Sequence, residues 1–175
     1  VDNDWYWIVM RFLHIVPGTF WVGASIMIAV FLEPSITASG PAGGQVMQQL
    51  VEKRKFSAAM GLTSWVAVVA GIALYWRTSL HFNEDWITTG VGTLLTIGGV
   101  AAIIALLMGT FGNARVGKAL TEKGNALQAA AGPPQEPELA QMRKLQTQMR
   151  LLSRIEAVLL VIAIGTMAIA RYVSF

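Results

Sequence analysis

The sequence predicts an all-α protein, an integral membrane four-helix bundle with a cytoplasmic helical hairpin extension between helices three and four. Three observations predict it. Four apolar runs are long enough to cross a bilayer, which takes about 20 residues. Of 175 residues, 54% are apolar and 13% charged, where soluble domains average about 25% charged. Lysine and arginine are segregated to one side of the expected bundle. Each run is continuous, so the spans are helices; barrel strands are short and alternating. The chain, 1–175, reads as a single transmembrane domain.

The spans are expected at Trp5–Leu32, Phe56–Trp76, Trp86–Phe111 and Leu151–Val173. Lys53, Arg54 and Lys55 fall between the first two, and Arg115, Lys118, Lys123, Arg143, Lys144, Arg150 and Arg154 fall around the connection between the last two. The other side holds Asp2, Asp4, Glu84 and Asp85 with only Arg77 and Arg171. By the positive-inside rule the basic connections are cytoplasmic and both termini lie outside. Trp5, Trp7, Trp76, Trp86 and Tyr172 gather at the expected outer boundary as an aromatic belt. The opening VDNDWYW is acidic and aromatic, without a signal-peptide pattern.

Small and polar residues mark the faces between helices. Ser57, Gly61, Ser64, Val68 and Gly71 share one face of helix two; Thr89, Thr93 and Thr96, with Gly92, Gly98 and Gly99, lie on helix three; Ala163 and Ala170 lie on helix four. Lipid tails are as apolar as leucine, so close backbone approach and hydroxyl bonding must pack these helices. In the segment 112–150, Gly112–Lys123 continues helix three and Gly132-Pro133-Pro134 breaks the chain. Pro137 suits a helix first turn, and Leu139, Met142, Leu145, Met149 and Leu152 then form a narrow apolar seam. Helix four is therefore expected to start near Glu136, its seam packing on Val116, Ala119 and Leu120 or on a partner subunit.

The stretch Arg11–Pro34 carries the chemistry. Arg11, His14, Gly18, Trp21 and Ser25 step by three or four and share one helix face. Ionisable groups inside lipid usually face a protein interior, a cavity or a cofactor. His14 lies roughly 13 Å below Trp5 by the helical rise. A neutral imidazole there can ligate haem iron, copper or zinc, or bond to a neighbouring helix. Pro17 removes an amide bond to residue 13, and Gly18 clears space one turn below the ring for a flat macrocycle or a close helix. Met10 and Met167 are the nearest candidates for a second metal ligand; Met60 and Met108 lie too deep, and His81 belongs to the outer loop. Arg11 either snorkels to the headgroups or pairs with an anion such as a haem propionate or a lipid phosphate. Glu33 and Glu156 are expected in an ion-pair cluster with Arg54, Lys55 and Arg154 at the basic boundary; the alternative, a proton relay, would need a chain of acids across the membrane, and helix three contains none.

Other chemistries are excluded. The chain has no cysteine and two histidines, so there is no disulfide, thiolate metal site or His-rich centre. There is no Ser/His/Asp set, P-loop or GxGxxG, so nothing points to a hydrolase, kinase or dinucleotide enzyme, and the chain is not expected to be an enzyme by itself. The net charge of +3 is read by location and not as a nucleic-acid signal.

At HIVPGTFWVG the chain resembles a superfamily of small bacterial membrane proteins that includes CopD-type copper-resistance proteins, uncharacterised four-helix relatives and HemJ-type protoporphyrinogen oxidases. The resemblance rests on His14, Trp21 and Gly23, on the basic entry Glu52-Lys53-Arg54-Lys55-Phe56, and on a basic hairpin running into RIEAVLLVIAIGTMAIARYV. It implies a multi-pass protein of the bacterial inner membrane. The HemJ-type branch implies haem b on the first-helix histidine, here His14, but has a second histidine where this chain has Leu32-Glu33-Pro34. The CopD-type branch implies copper handling. Three functions are carried forward: a subunit of a redox or electron-transfer complex holding haem b through His14, with Arg11, Gly18 and Trp21 around it; a structural accessory subunit contacting lipid and other membrane subunits; and a copper-handling protein using His14, Met10 and Met167.

Overall fold

The architecture is a computed structural model that describes residues 2–130 and 135–173. Every element in it is helical. α1 (Asp2–Met27) passes through a π-helical turn, Ile28–Leu32, into α2 (Glu33–Ala38). α3 (Pro41–Gln48) follows, and a second π-turn, Gln49–Lys53, leads to α4 (Phe56–Thr78). α5 (Glu84–Ile87) is a single turn before α6 (Gly90–Leu107). A third π-turn, Met108–Asn113, continues α6 into α7 (Ala114–Ala129), and α8 (Glu136–Ile169) ends in a 3₁₀ turn, Ala170–Tyr172. Four continuous rods, Asp4–Ala38, Phe56–Thr78, Gly90–Leu127 and Glu136–Tyr172, are long and apolar enough to cross a membrane.

Local chemistry sets the boundaries. Thr89 caps α6 by accepting from the Gly92 amide at 3.1 Å, so the third span begins at Gly90. Trp86, the expected start, sits in α5, whose cap is Asn83 accepting from the Trp86 amide. Gln135 and Glu138 close a capping box at the start of α8, with Pro137 in its first turn. The segment 33–53, expected as a loop, is helical because Pro34 and Pro41 each occupy a first-turn position where the missing N–H costs nothing. The expected break at Gly132-Pro133-Pro134 lies outside the described residues.

The tightest pairings are α1 with α4 and α6 with α8. Tyr6 Oη donates to the Ala73 carbonyl at 2.8 Å, and Gly18 of α1 faces Ala67 of α4. Gly98 faces Thr166 and Ala163 of α8 at a separation that leaves no space for a Cβ. Tyr75 of α4 bonds Thr96 of α6, joining the pairs near their aromatic end. The shared core of Trp21, Val68, Ala105, Leu106 and Leu160 joins them again nearer the basic end. Around this core the surface is apolar: Phe12, Ile15, Phe20, Leu62, Val69, Val100, Val158 and Val161 are all exposed. Small interior residues and a large apolar exterior are what helices packed in lipid require.

Beyond the spans, Gly117 of α7 lies beside the Met149 methyl, Gly112 beside Leu152, and Lys123 bonds Gln141. The seam residues Leu139, Met142, Leu145, Met149 and Leu152 are half-buried while most positions between them are exposed. Gln48, Glu52 and Asn125 bond one another, tying the segment after α2 to α7.

Candidate functional site

The face of α1 that carries Arg11, His14, Gly18, Trp21 and Ser25 does not converge on one place. It divides into two sites about two turns apart.

The upper site is His14. Its ring enters the α1–α4 interface, where Gly71 is open enough to admit it: a Cβ on Gly71 would stand 2.8 Å from Cε1 and 2.9 Å from Nδ1. Nδ1 lies 2.7 Å from the Ala67 carbonyl oxygen. A carbonyl only accepts, so Nδ1 carries a hydrogen, and in the neutral ring it is Nε2 that has the lone pair. Orienting a ring by an Nδ1–H bond to a backbone carbonyl is also how proteins prepare histidines as metal ligands. Nε2 is the ring nitrogen farther from Gly71, at 3.8 Å from that Cβ position. The half-buried ring is thus held through Nδ1, and Nε2 is the nitrogen that would be offered to a metal or haem.

Four other residues named from the sequence have different surroundings. Arg11 is exposed and its guanidinium lies over the Trp7 ring, 5.8 Å from the centroid. Met10 lines an apolar groove of about 300 Å³ with Leu13, Trp65, Val66, Val69 and Ala70. Met167 packs toward Gly98 at the α6–α8 interface, whereas His14 packs on α4. Among the described residues no three His, Cys, Asp or Glu side chains group as a metal site. His81 is exposed and packs edge-on against Trp76, with ring centroids 4.4 Å apart.

The lower site is built around Glu156, with partners other than the expected cations. Glu156 is 6% exposed and Trp21 4%. Trp21 Nε1 donates to Glu156 Oε1 at 3.1 Å, and Ser25 Oγ donates to the same oxygen at 3.4 Å. Asn113 Nδ2 donates to Oε2. The π-turn Met108–Asn113 places Asn113 there; Ala114 N–H reaches back five residues to the Gly109 carbonyl, and Gly109 itself lies alongside the carboxyl group. Such π-turns inside α-helices frequently mark functional sites.

The expected ion-pair cluster is thus divided. Glu33 does meet a cation: Arg150 Nε lies 3.7 Å from Oε1, and Arg150 also reaches Thr37 Oγ1 at 3.4 Å. Glu156 instead has three neutral donors, and among the described residues no Lys, Arg or His lies in ion-pair range of it. Arg154 is two positions away, and residues two apart on a helix point in different directions. A usable signal was present: Trp21 and Ser25, four apart, put an N–H and an O–H on one face, and Glu156 is the acid of the last span.

No protein-family model, curated protein or solved structure matches this chain.

Proposed function

We propose that the chain is a multi-pass subunit of a membrane redox or electron-transfer complex, with both termini outside, in which His14 offers one axial ligand to a haem b. The observation that carries this is the Nδ1 bond to the Ala67 carbonyl, which orients the ring and, in the neutral imidazole, makes Nε2 the nitrogen with the lone pair. The apolar exterior of the four long helices supports membrane insertion, and the basic connections support the orientation. The α7–α8 contacts support a cytoplasmic hairpin closed within the chain. The resemblance of His14, Trp21 and Gly23 to the CopD- and HemJ-type superfamily supports a bacterial inner-membrane setting.

A bound haem would supply one-electron transfer. The chain's own part is to hold the imidazole: Gly71 admits the ring and Ala67 orients it. Trp21 belongs to the Glu156 site, so it acts below the imidazole and not on it. Arg11 on Trp7 is near the aromatic end, where it can turn toward an anionic group.

A purely structural accessory role is the second reading. It is favoured by the same bond, because an Nδ1–carbonyl contact also satisfies a histidine that only ties α1 to α4. The separation of His14 and Met167 onto different interfaces gives copper handling no comparable support. A reduced-minus-oxidised absorption spectrum of the purified chain separates the readings. A Soret band that is present in the wild type and lost in His14→Ala, with helical circular dichroism retained, supports the haem assignment. A colourless wild type overturns it and leaves the accessory role, which retention of a partner on a native gel then tests.

A further inference from the structure

We propose that the Glu156 cluster is a reversible proton-binding site inside the bundle, with Asn113 as the residue that bonds the carboxyl group in both of its states. The carboxyl is nearly inaccessible, and an uncompensated charge buried in a low-dielectric interior is among the most costly arrangements a protein can hold. No cation of the described residues offsets it. The counter-charge must then be carried on the carboxyl itself, and the ligand that does this with least space is a proton.

Asn113 makes the site specific. Its Nδ2 donates to Oε2, while its Oδ1 is buried and has no hydrogen-bond partner. A buried amide oxygen without a donor is rare and needs an explanation. The amide's N and O ends exchange by a half-turn. With Glu156 ionised, Nδ2–H donates to Oε2. With Glu156 protonated, the turned amide presents Oδ1 and accepts from Oε2–H. In both states Oε1 keeps its bonds from Trp21 and Ser25. An O–H bond forms at Oε2 when the proton arrives from hydronium and breaks when water takes it back. Asn113 is the partly exposed member of the cluster, so exchange enters from its side.

The neighbouring elements bring few other titratable or charged groups. α1 contributes Trp21 and Ser25, α4 meets the core through Met60 and Val68, and the third π-turn contributes Gly109 and Asn113. Glu33 on α2 is paired with Arg150 of α8, and Arg154 of α8 is exposed and acts on Glu33. Arg115 on α7, two positions beyond Asn113, is exposed.

The test is a pH titration of the full chain, in detergent or nanodiscs, by infrared difference spectroscopy. The expected result is a protonated-carboxyl C=O stretch that shifts in D₂O, survives Glu33→Gln, and disappears in Glu156→Gln. Glu156→Gln should retain wild-type helical circular dichroism, because a side-chain amide reproduces the donor and acceptor pattern of the protonated acid. Trp21→Phe removes a donor to Oε1 and should raise the frequency of the stretch. If Glu156→Gln does not fold, Trp21→Phe decides: an unmoved band overturns the proposal. So does a wild type with no such band at any pH at which it stays folded. A band that sodium abolishes at constant pH, where choline does not, overturns the proton assignment in favour of a metal cation.

Discussion

Trp21 and Glu156, 135 positions apart in the chain, meet at 3.1 Å through an indole N–H and a carboxyl oxygen. The contact joins α1, which packs mainly on α4, to α8, which packs mainly on α6. It is therefore a seam between two helix pairs as well as the floor of a buried polar site. Polar atoms in such a place are costly to leave unmatched.

Trp21→Phe keeps most of the apolar volume and deletes the donor. The expected loss of stability is about 1–3 kcal/mol, the usual cost of removing one partner of a buried hydrogen bond. Ser25→Ala should cost less, because its bond is the longer one at 3.4 Å and the second to the same oxygen. Reversible unfolding in mixed detergent micelles measures both; a Ser25→Ala loss exceeding that of Trp21→Phe contradicts the assignment of Trp21 as the principal donor.

At the upper site the decisive residue is Gly71. A methyl group there would stand 2.8 Å from the His14 ring, closer than any ordinary contact, so Gly71→Ala must displace the imidazole and break the Nδ1–Ala67 bond. Overpacking of this kind costs about 1–3 kcal/mol. Nitrogen-15 NMR of labelled histidine reads the tautomer directly: the wild type should show a protonated Nδ1, and Gly71→Ala should lose that preference. An unchanged tautomer would mean that Ala67 does not set it.

These two sites show which features sequence can carry. The four long apolar helices are legible because a helix able to cross lipid needs a long apolar run, and the second is expected to begin at Phe56, where α4 begins. The helical 33–53 segment was concealed by its polarity, although Pro34 and Pro41 marked two helix starts. The π-turns had no sequence signature, since period analysis assumes 3.6 residues per turn. Asn113 could not be placed without the turn it closes. Helical spacing groups Trp21 with His14, but spacing along one helix says nothing about which partner each level of a face will meet. Similar depth in the bundle groups Glu156 with Arg54, Lys55 and Arg154; the structure satisfies it from α1 and the third π-turn instead.

The loop after α4 stores strain that substitution can release. Leu80, His81 and Phe82 have φ of 52°, 69° and 65°, a left-handed run that side chains with a Cβ disfavour by roughly 1–2 kcal/mol per residue. Fully buried Ser79 holds it: its Oγ accepts from the Phe82 amide at 3.0 Å, and its carbonyl accepts from the Asn83 amide at 2.8 Å. Leu80→Gly, at an exposed position, should raise stability by up to about 1 kcal/mol. Ser79→Ala should lower it by about 1 kcal/mol or more, through the lost bond. Thermal unfolding of both variants checks the pair, and a destabilised Leu80→Gly would mean that contacts of the leucine outweigh its backbone strain.

Two glycines on the continuous α6–α7 rod predict opposite responses to the same substitution. At Gly98 a Cβ would lie 2.6 Å from Thr166 Oγ1, 3.0 Å from Met167 Cγ and 3.1 Å from the Ala163 carbonyl oxygen. Thr166 is anchored by its own bond to the Ile162 carbonyl at 2.9 Å, and the Ala163 oxygen belongs to the backbone of α8, so the helices must part. At Gly117 the nearest atom is the Met149 methyl at 3.2 Å, the end of a flexible chain that can swing aside. Alanine also gains about 1 kcal/mol over glycine in a helix interior. Gly117→Ala is therefore expected to stabilise the chain by up to about 1 kcal/mol, and Gly98→Ala to destabilise it by about 1–3 kcal/mol. The sign is the test. If α7 packs on α8 within one chain, the gain at Gly117 is independent of protein concentration. If the seam from Leu139 to Leu152 instead pairs between copies, the effect changes with dilution in detergent, which unfolding at two protein concentrations resolves.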